Sequence, residues 1–521
     1  MTVLDLLIEH APALIVAIPL FGAFLMPLVS RVNEKLRNIL ALSIICLTGF
    51  FIWLLATDVL ARGPRLYIFG AKNLASPMVR ILFEVDSMSI FMITITVILA
   101  FIALVYSWSF MKEHDGLDKY YTLVLLLIAS TLGMELTGDV FNFFVFLEIS
   151  CIVSCALIAF FISEGEALEA AFKYIVVSSI GALFILFAIG LLYAQYDALN
   201  IATLAQVLKY TFLDKIVLVL LVVVLGMKAG LVPMHMWLPD SYGRAPPSVT
   251  LIIIGATLAS FYGVLRVIFT LYGNVLSNAM RFALPVNVLV GWILIALAII
   301  SIIVGVIMAL VQTDLMRLIA FAAVAEVGYM FLAIGTSIAA LGSPYATTAL
   351  QGGLLHLLND ALDIGLLFLV AGALYYATKK RLLDDISGLA RNMKYTTVFF
   401  IIGLLAVAGM PPLNGFASKF LIYESVYQLN PILSIVAILC SILMLAIFVK
   451  VFYAAFLGPE LPGFKDVKEA PRSMLLAMGL VAGLAIFIGL FPNIVIDTLV
   501  KPAADALVNH AQYISTVIGG I

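Results

Sequence analysis

Gly226-Met227-Lys228-Ala229-Gly230-Leu231-Val232-Pro233-Met234-His235-Met236-Trp237-Leu238-Pro239-Asp240 sets a lysine at the end of an apolar run, with prolines close behind it. The run before it, Ile216 to Leu225, has no polar side chain to neutralise an ammonium. An ionisable group at that depth is costly in a bilayer and marks an ion or proton pathway. Gly230, Pro233 and Pro239 free backbone groups that lipid cannot satisfy, so the segment must line protein or a water-filled cavity. The stretch predicts a broken membrane helix with a proton site at Lys228.

The composition around it is that of a membrane protein. Of 521 residues, 64% are hydrophobic and only 11% charged, against about 25% charged in soluble domains. Because a hydrocarbon core of about 30 Å takes about 20 apolar residues per helix, the sequence holds about fourteen candidate spans and little room for a soluble domain. A net charge of -2 gives no basic face for nucleic acid, so none is expected as a partner. Met1 to Pro12 carries Asp5 and Glu9 but neither Lys nor Arg, and the first span is expected to be retained, not cleaved as a signal peptide. Cys46, Cys151, Cys155 and Cys440 lie in apolar runs without metal-ligand spacing and read as small packing residues. No phosphate-binding or dinucleotide motif is present. No cofactor and no metal are expected, and any redox chemistry must belong to a partner subunit.

Further charges inside apolar runs complete the candidate set. Glu148 lies in the fifth span among Phe143, Phe144 and Phe146, and Glu326 lies deep in the tenth. His356, Asp360 and Asp363 line one helix face of the eleventh. Lys419 follows a second break, Gly409-Met410-Pro411-Pro412, in the twelfth. Arg266, near the end of the eighth span, reads as snorkelling to the interface, and His235 as filling the broken turn. Arg62 to Glu84, with alternating Leu66-Tyr67-Ile68-Phe69 and turn residues including Gly70 and Pro77, predicts a short surface hairpin. Lys and Arg concentrate in alternate links, above all Lys379, Lys380, Arg381, Arg391 and Lys394, with Lys465 on the same side and Lys72 and Arg80 on the other. That bias puts the richer side in the cytoplasm and both termini outside.

The two lysine-bearing broken spans stand five spans apart, as do the spans carrying Glu148 and Glu326. An odd offset inverts one unit relative to the other in the membrane. The expected fold is therefore all-α and polytopic. Residues 1–114 form three helices with an external hairpin, 115–272 and 273–458 two inverted five-helix repeats each with a broken helix, and 459–521 a last helix and short tail.

Several runs together resemble a known family over nearly the whole chain: Asp139-Val140-Phe141-Asn142-Phe143-Phe144-Val145-Phe146-Leu147-Glu148-Ile149, Lys173-Tyr174 with Ser178-Ser179, Lys228 through Asp240 with Ala245-Pro246-Pro247-Ser248-Val249, and Pro411 through Lys419. They are similar to the antiporter-like subunits of respiratory complex I, of Mrp sodium/proton antiporters and of archaeal membrane-bound hydrogenases. The resemblance implies fourteen core helices and proton-carrying roles for Glu148, Lys228 and Lys419. A lysine in the twelfth-span motif looks more like the Mrp D type than the complex I M type, and the tail is too short for the lateral helix of the L type. The chain departs from the family at its centre. Thr250 to Ala256 lacks the usual His or Lys of the eighth span, and Ile364 stands where the eleventh usually has lysine.

The chemistry follows from desolvation. Out of water a lysine gives up its proton more readily, and a nearby carboxylate restores it. If Glu148 moved from about 4 Å to about 8 Å from Lys228, the attraction would fall by roughly 2 kcal/mol, comparable to one charge crossing about 100 mV. Proton translocation is thus assigned to Glu148, Lys228 and Lys419, with Glu326 as a relay in the tenth span and His356, Asp360 and Asp363 as a hydrated acidic path in the eleventh. The expected function is a proton-translocating membrane subunit, with sodium as the second candidate ion, in a redox-driven complex such as a membrane-bound hydrogenase or sulfur-reducing complex. Its expected partners are other membrane subunits and lipid. Two readings stand beside it: a D-type component of an Mrp antiporter, and a scaffold that no longer transports.

Overall fold

The computed structural model describes residues 3–69, 81–278, 280–281, 284–459, 461–464 and 466–520. In chain order, α1 (Val3–Ser30) and α2 (Glu34–Arg62) lead into an antiparallel hairpin of β1 (Arg65–Ile68) and β2 (Leu82–Val85), in which Leu66 faces Glu84. Then come α3 (Ser87–Phe110), α4 (Leu117–Leu136), α5 (Val140–Ile158) and α6 (Gly165–Tyr196). A short α7 (Ile201–Val207) precedes the first broken pair, α8 (Phe212–Lys228) and α9 (Trp237–Arg244). Next, α10 (Pro247–Leu265) runs on into a π-helical turn, Arg266–Leu271, and α11 (Gly273–Asn278) leads to α12 (Val286–Val311), α13 (Leu315–Ala339) and α14 (Pro344–Thr378). The second broken pair is α15 (Lys394–Val407) and α16 (Asn414–Leu429), followed by α17 (Pro431–Phe452) and α18 (Arg472–Leu490).

Twelve described helices are long and apolar enough to cross a membrane, which makes this an all-α, multi-pass membrane protein. The polar-bearing α10, α13 and α14 are wholly surrounded by other helices, whereas more uniformly apolar helices such as α12 and α17 lie at the periphery. Lipid solvates Ile and Leu as well as protein does, so position is decided by the groups that lipid cannot solvate. Peripheral α6 accordingly turns Phe172, Leu183 and Phe187 outward.

Helix starts are held by short polar caps. Asp86 accepts from the Ser89 amide, Asp139 from Asn142 and Asp314 from Met316, while Thr211 and Asp214 form a reciprocal capping box on α8. Both breaks open on a left-handed glycine, Gly230 at φ 89° and Gly409 at φ 69°, a conformation that a side chain would oppose. The predicted hairpin is present as β1 and β2. Its turn, with Gly70, Lys72, Pro77 and Arg80, lies outside the described residues, as does Lys465.

The tail is more than a short end. After α18 the chain continues through α19 (Pro492–Val495), a π-helical turn, α20 (Lys501–Val508) and α21 (His510–Gly520), which fold back onto α3, α7, β1 and the π-helical end of α10. Tyr513 stacks over Arg266 with its ring centroid 4.7 Å from the guanidinium.

Candidate functional site

The break between α15 and α16 leaves the last carbonyls of α15 without helical partners and at the negative end of its dipole. Lys419, one turn into α16, answers this: its Nζ donates to Val407 O at 2.6 Å. The same ammonium donates to Glu326 Oε1 of α13 at 2.9 Å and lies 4.5 Å from the Tyr329 ring centroid. Both charged side chains are buried. Removal of two charges from water is compensated only by close pairing and additional hydrogen bonds, and both are present.

The arrangement continues along α14. The other Glu326 oxygen meets His356 Nε2 at 3.1 Å, a contact not aligned as a hydrogen bond. His356 Nδ1 lies 3.2 Å from Ser418 Oγ, Asn359 donates to Ser418 Oγ and Asn414 O, and Asn414 donates to Asp363 Oδ1 at 2.9 Å. A buried polar chain thus runs from Lys419 through Glu326, His356, Ser418, Asn359 and Asn414 to Asp363. Asp360 sits beside it, four residues after His356 on the same helix face, its Oδ1 buried without a partner.

The first break is built differently. Lys228 is the last residue of α8, and its ammonium donates to Cys151 Sγ of α5 at 2.9 Å. Trp237, at the start of α9, closes the gap by donating its indole N–H to Met227 O at 3.0 Å. A cavity of about 20 Å³ adjoins the ammonium, lined among others by Ser150, Cys151, Tyr174, Ser178 and Thr257. Glu148 forms no ion pair with Lys228. It is half-buried on α5, Oε1 has no hydrogen-bond partner, and the lysine acts on it only through space.

The expected site residues therefore fall into two groups. Lys419, Glu326, His356 and Asp363 share one network with Asp360 alongside, while Lys228 and Glu148 stand apart from it. The two lysines are also not equivalent. Counted from the glycine of each break, Lys419 occupies the position of Asp240, which pairs with Lys173 at 2.9 Å and Arg317 at 3.2 Å. The position of Lys228 corresponds to Val407, whose carbonyl Lys419 holds. Lys228 precedes its break and Lys419 follows its own, so residue type alone suggested a symmetry that register does not support.

Several partners escaped the sequence reading. Cys151 is a hydrogen-bond acceptor for Lys228, not only a packing residue. Arg266 does not snorkel: it is buried, bonded to Tyr262 and paired with Asp86 across the end of the bundle. Glu135 of α4 is fully buried, with Oε1 accepting from Thr96 at 2.8 Å. Its position inside an apolar run was visible, but nothing in the sequence named its partner.

Residues 137–445 match the family model described as "NADH:quinone oxidoreductase/Mrp antiporter, TM". The chain is 32% identical to NADH-quinone oxidoreductase subunit N of Desulforudis audaxviator over 95% of its length and 98% of that protein. It is 28% identical to the D component of the Na(+)/H(+) antiporter of Bacillus subtilis over 96% and 98% of the two chains. A chain in the structure of the membrane-bound sulfane sulfur reductase, an archaeal respiratory membrane complex, superposes with a TM-score of 0.85 at 26% identity, over 98% of this chain and 100% of that one. On the strength of a family match spanning most of the chain and a relative aligned nearly end to end, this protein belongs to the NADH:quinone oxidoreductase/Mrp antiporter transmembrane family.

Proposed function

We propose that this chain is an antiporter-like membrane subunit of a respiratory complex that moves protons, using Lys419, Glu326 and His356 in its second half and Lys228 with Glu148 in its first. The observation that carries the reading is the buried Lys419 ammonium shared between Glu326 and the Val407 carbonyl, continued by a chain of buried polar contacts to Asp363. Such a set holds a proton in the membrane interior and can pass it on when partner distances change. Relatives named as subunits of NADH-quinone oxidoreductase and the fold of the sulfane sulfur reductase support a redox-driven setting. The Na(+)/H(+) antiporter relative supports the second reading, a D-type antiporter component with no redox partner.

Counting each broken pair as one span gives fourteen, and the spacing of the lysine- and glutamate-bearing spans supports two inverted five-helix units, 115–272 and 273–458. The Lys/Arg bias of the links supports external termini, and the likeness to a chain of the membrane-bound sulfane sulfur reductase complex supports partner subunits packed in the same membrane. Lys228→Ala in the assembled complex is the test. Loss of ion translocation with assembly intact supports the proposal, unchanged translocation would take Lys228 out of it, and retained pumping after Lys419→Ala and Glu148→Ala together would leave a membrane scaffold.

A further inference from the structure

The two bases usual between the halves are missing, since Thr250 to Ala256 has neither Lys nor His and Ile364 stands on α14 where lysine is usual. We propose that the hydroxyls of Tyr242 and Thr257 form the proton link between the two halves. This rests on the reading above that the chain moves protons.

Tyr242 and Thr257 are both buried, and the phenol donates to Thr257 Oγ1 at 2.8 Å. Thr257 also borders the cavity beside Lys228, whose volume of about 20 Å³ exceeds the roughly 10–15 Å³ that one water requires. On the other side, Tyr242 packs against Phe368 of α14 with ring centroids 5.8 Å apart and lies within electrostatic reach of Asp360. Asp360 Oδ1 is buried and unpartnered, and Glu326, Asp363 and Lys419 act electrostatically on its carboxyl. Tyr242 and Thr257 thus stand between an orphaned carboxyl of the second half and the ammonium of the first.

The break puts them there. On a straight helix Tyr242 would lie about 21 Å beyond Lys228. Because α8 ends at Lys228 and α9 restarts at Trp237, both residues instead reach the surroundings of Thr257 on α10. Thr250 Oγ1, donating to Tyr242 O at 3.2 Å, ties the end of α9 to α10.

A hydroxyl both donates and accepts, so it relays a proton without becoming charged. With the phenol donating to Thr257, the hop runs from Asp360 toward Lys228. Asp360 makes no hydrogen bond to the phenol at rest; when its side chain turns to meet the phenol oxygen, the carboxyl gives up its proton there, the phenol gives its own to Thr257, and the threonine gives its own through the cavity to the Lys228 amine. Asp360 becomes a carboxylate, Lys228 an ammonium, and both hydroxyls regain their protons, turning over before the next passage. No fixed base is needed in a region where a permanent charge would be expensive.

The test uses the assembled complex in everted membrane vesicles, with proton movement read by a pH-gradient dye and normalised to complex content. Tyr242→Phe and Thr257→Val remove one hydroxyl each at nearly constant volume, and Thr257→Ser keeps it. The expected result is a loss of roughly tenfold or more in both hydroxyl-free variants, recovery in Thr257→Ser to within about twofold of the parent, and a larger solvent isotope effect in the parent than in Thr257→Val. Should Tyr242→Phe and Thr257→Val both transport at the parent rate while Lys419→Ala does not, the relay is overturned and the proton-translocating reading survives. If Lys419→Ala also transports normally, both fall.

Discussion

Lys419 and Glu326, 93 residues apart in the chain, meet at 2.9 Å in the interior of the bundle, while Lys228 and Glu148, which the sequence suggested as the gating pair, make no direct contact. The second half holds a closed ion pair. In the first, the ammonium rests on a thiol sulfur and the half-buried Glu148 leaves Oε1 buried and unpartnered.

That difference predicts opposite responses to mutation. Lys419→Met alone strands a buried carboxylate and should lower the stability of the complex by about 3–5 kcal/mol, whereas Lys419→Met with Glu326→Leu should restore much of it. Neither variant should translocate. Thermal unfolding of the purified complex, read beside transport in vesicles, checks both parts, and a double variant less stable than the single one would contradict the buried-pair account.

Cys151 is expected to matter through its sulfur. A hydrogen bond to a charged group contributes about 1.5–3 kcal/mol, so Cys151→Ala should lower the transport rate roughly tenfold or more while Cys151→Ser, which keeps an acceptor, should stay close to the parent. Equal rates in the two variants would make the Lys228 contact incidental.

The Arg266–Asp86 pair, with Tyr513 stacked over the guanidinium, clamps the tail onto the end of the bundle. Lysine keeps the charge but loses the planar fork that serves Asp86, Tyr262 and Ser89 together. Arg266→Lys should therefore raise amide exchange across α20 and α21 more than across α10. Unchanged protection of residues 501–520 would show that apolar packing alone holds the tail.

Glu84, in β2 at the same end, has both oxygens buried and unpartnered, and burial pushes its carboxyl well above the usual carboxylate range, with Arg266 offsetting part of the rise. A raised native value stabilises the fold fully below the unfolded value of about 4.3 and progressively less as pH rises toward the native one. As pH rises above about 4.3 the parent should lose melting temperature relative to Glu84→Gln. A pH-independent difference between the two would remove Glu84 from this account.

The sequence by itself determined the membrane class, most span limits, both breaks and which charged residues lie inside apolar runs, because lipid tolerates so few patterns that apolar length, helix breakers and buried charge carry the information locally. The hairpin was legible from alternation and turn residues for the same reason. Which charge meets which was not, since α13, α14 and α16 come together only on folding, and nothing near Lys419 in sequence names Glu326. Cys151 and Thr257 look like ordinary small residues of apolar helices until α5 and α10 bring them to Lys228. Arg266 was misplaced because a lone arginine near a span end snorkels unless a partner reaches it, and Asp86 and Tyr513 arrive from distant parts of the chain. Composition fixes where charge is costly; only the packing of helices decides which partner relieves that cost.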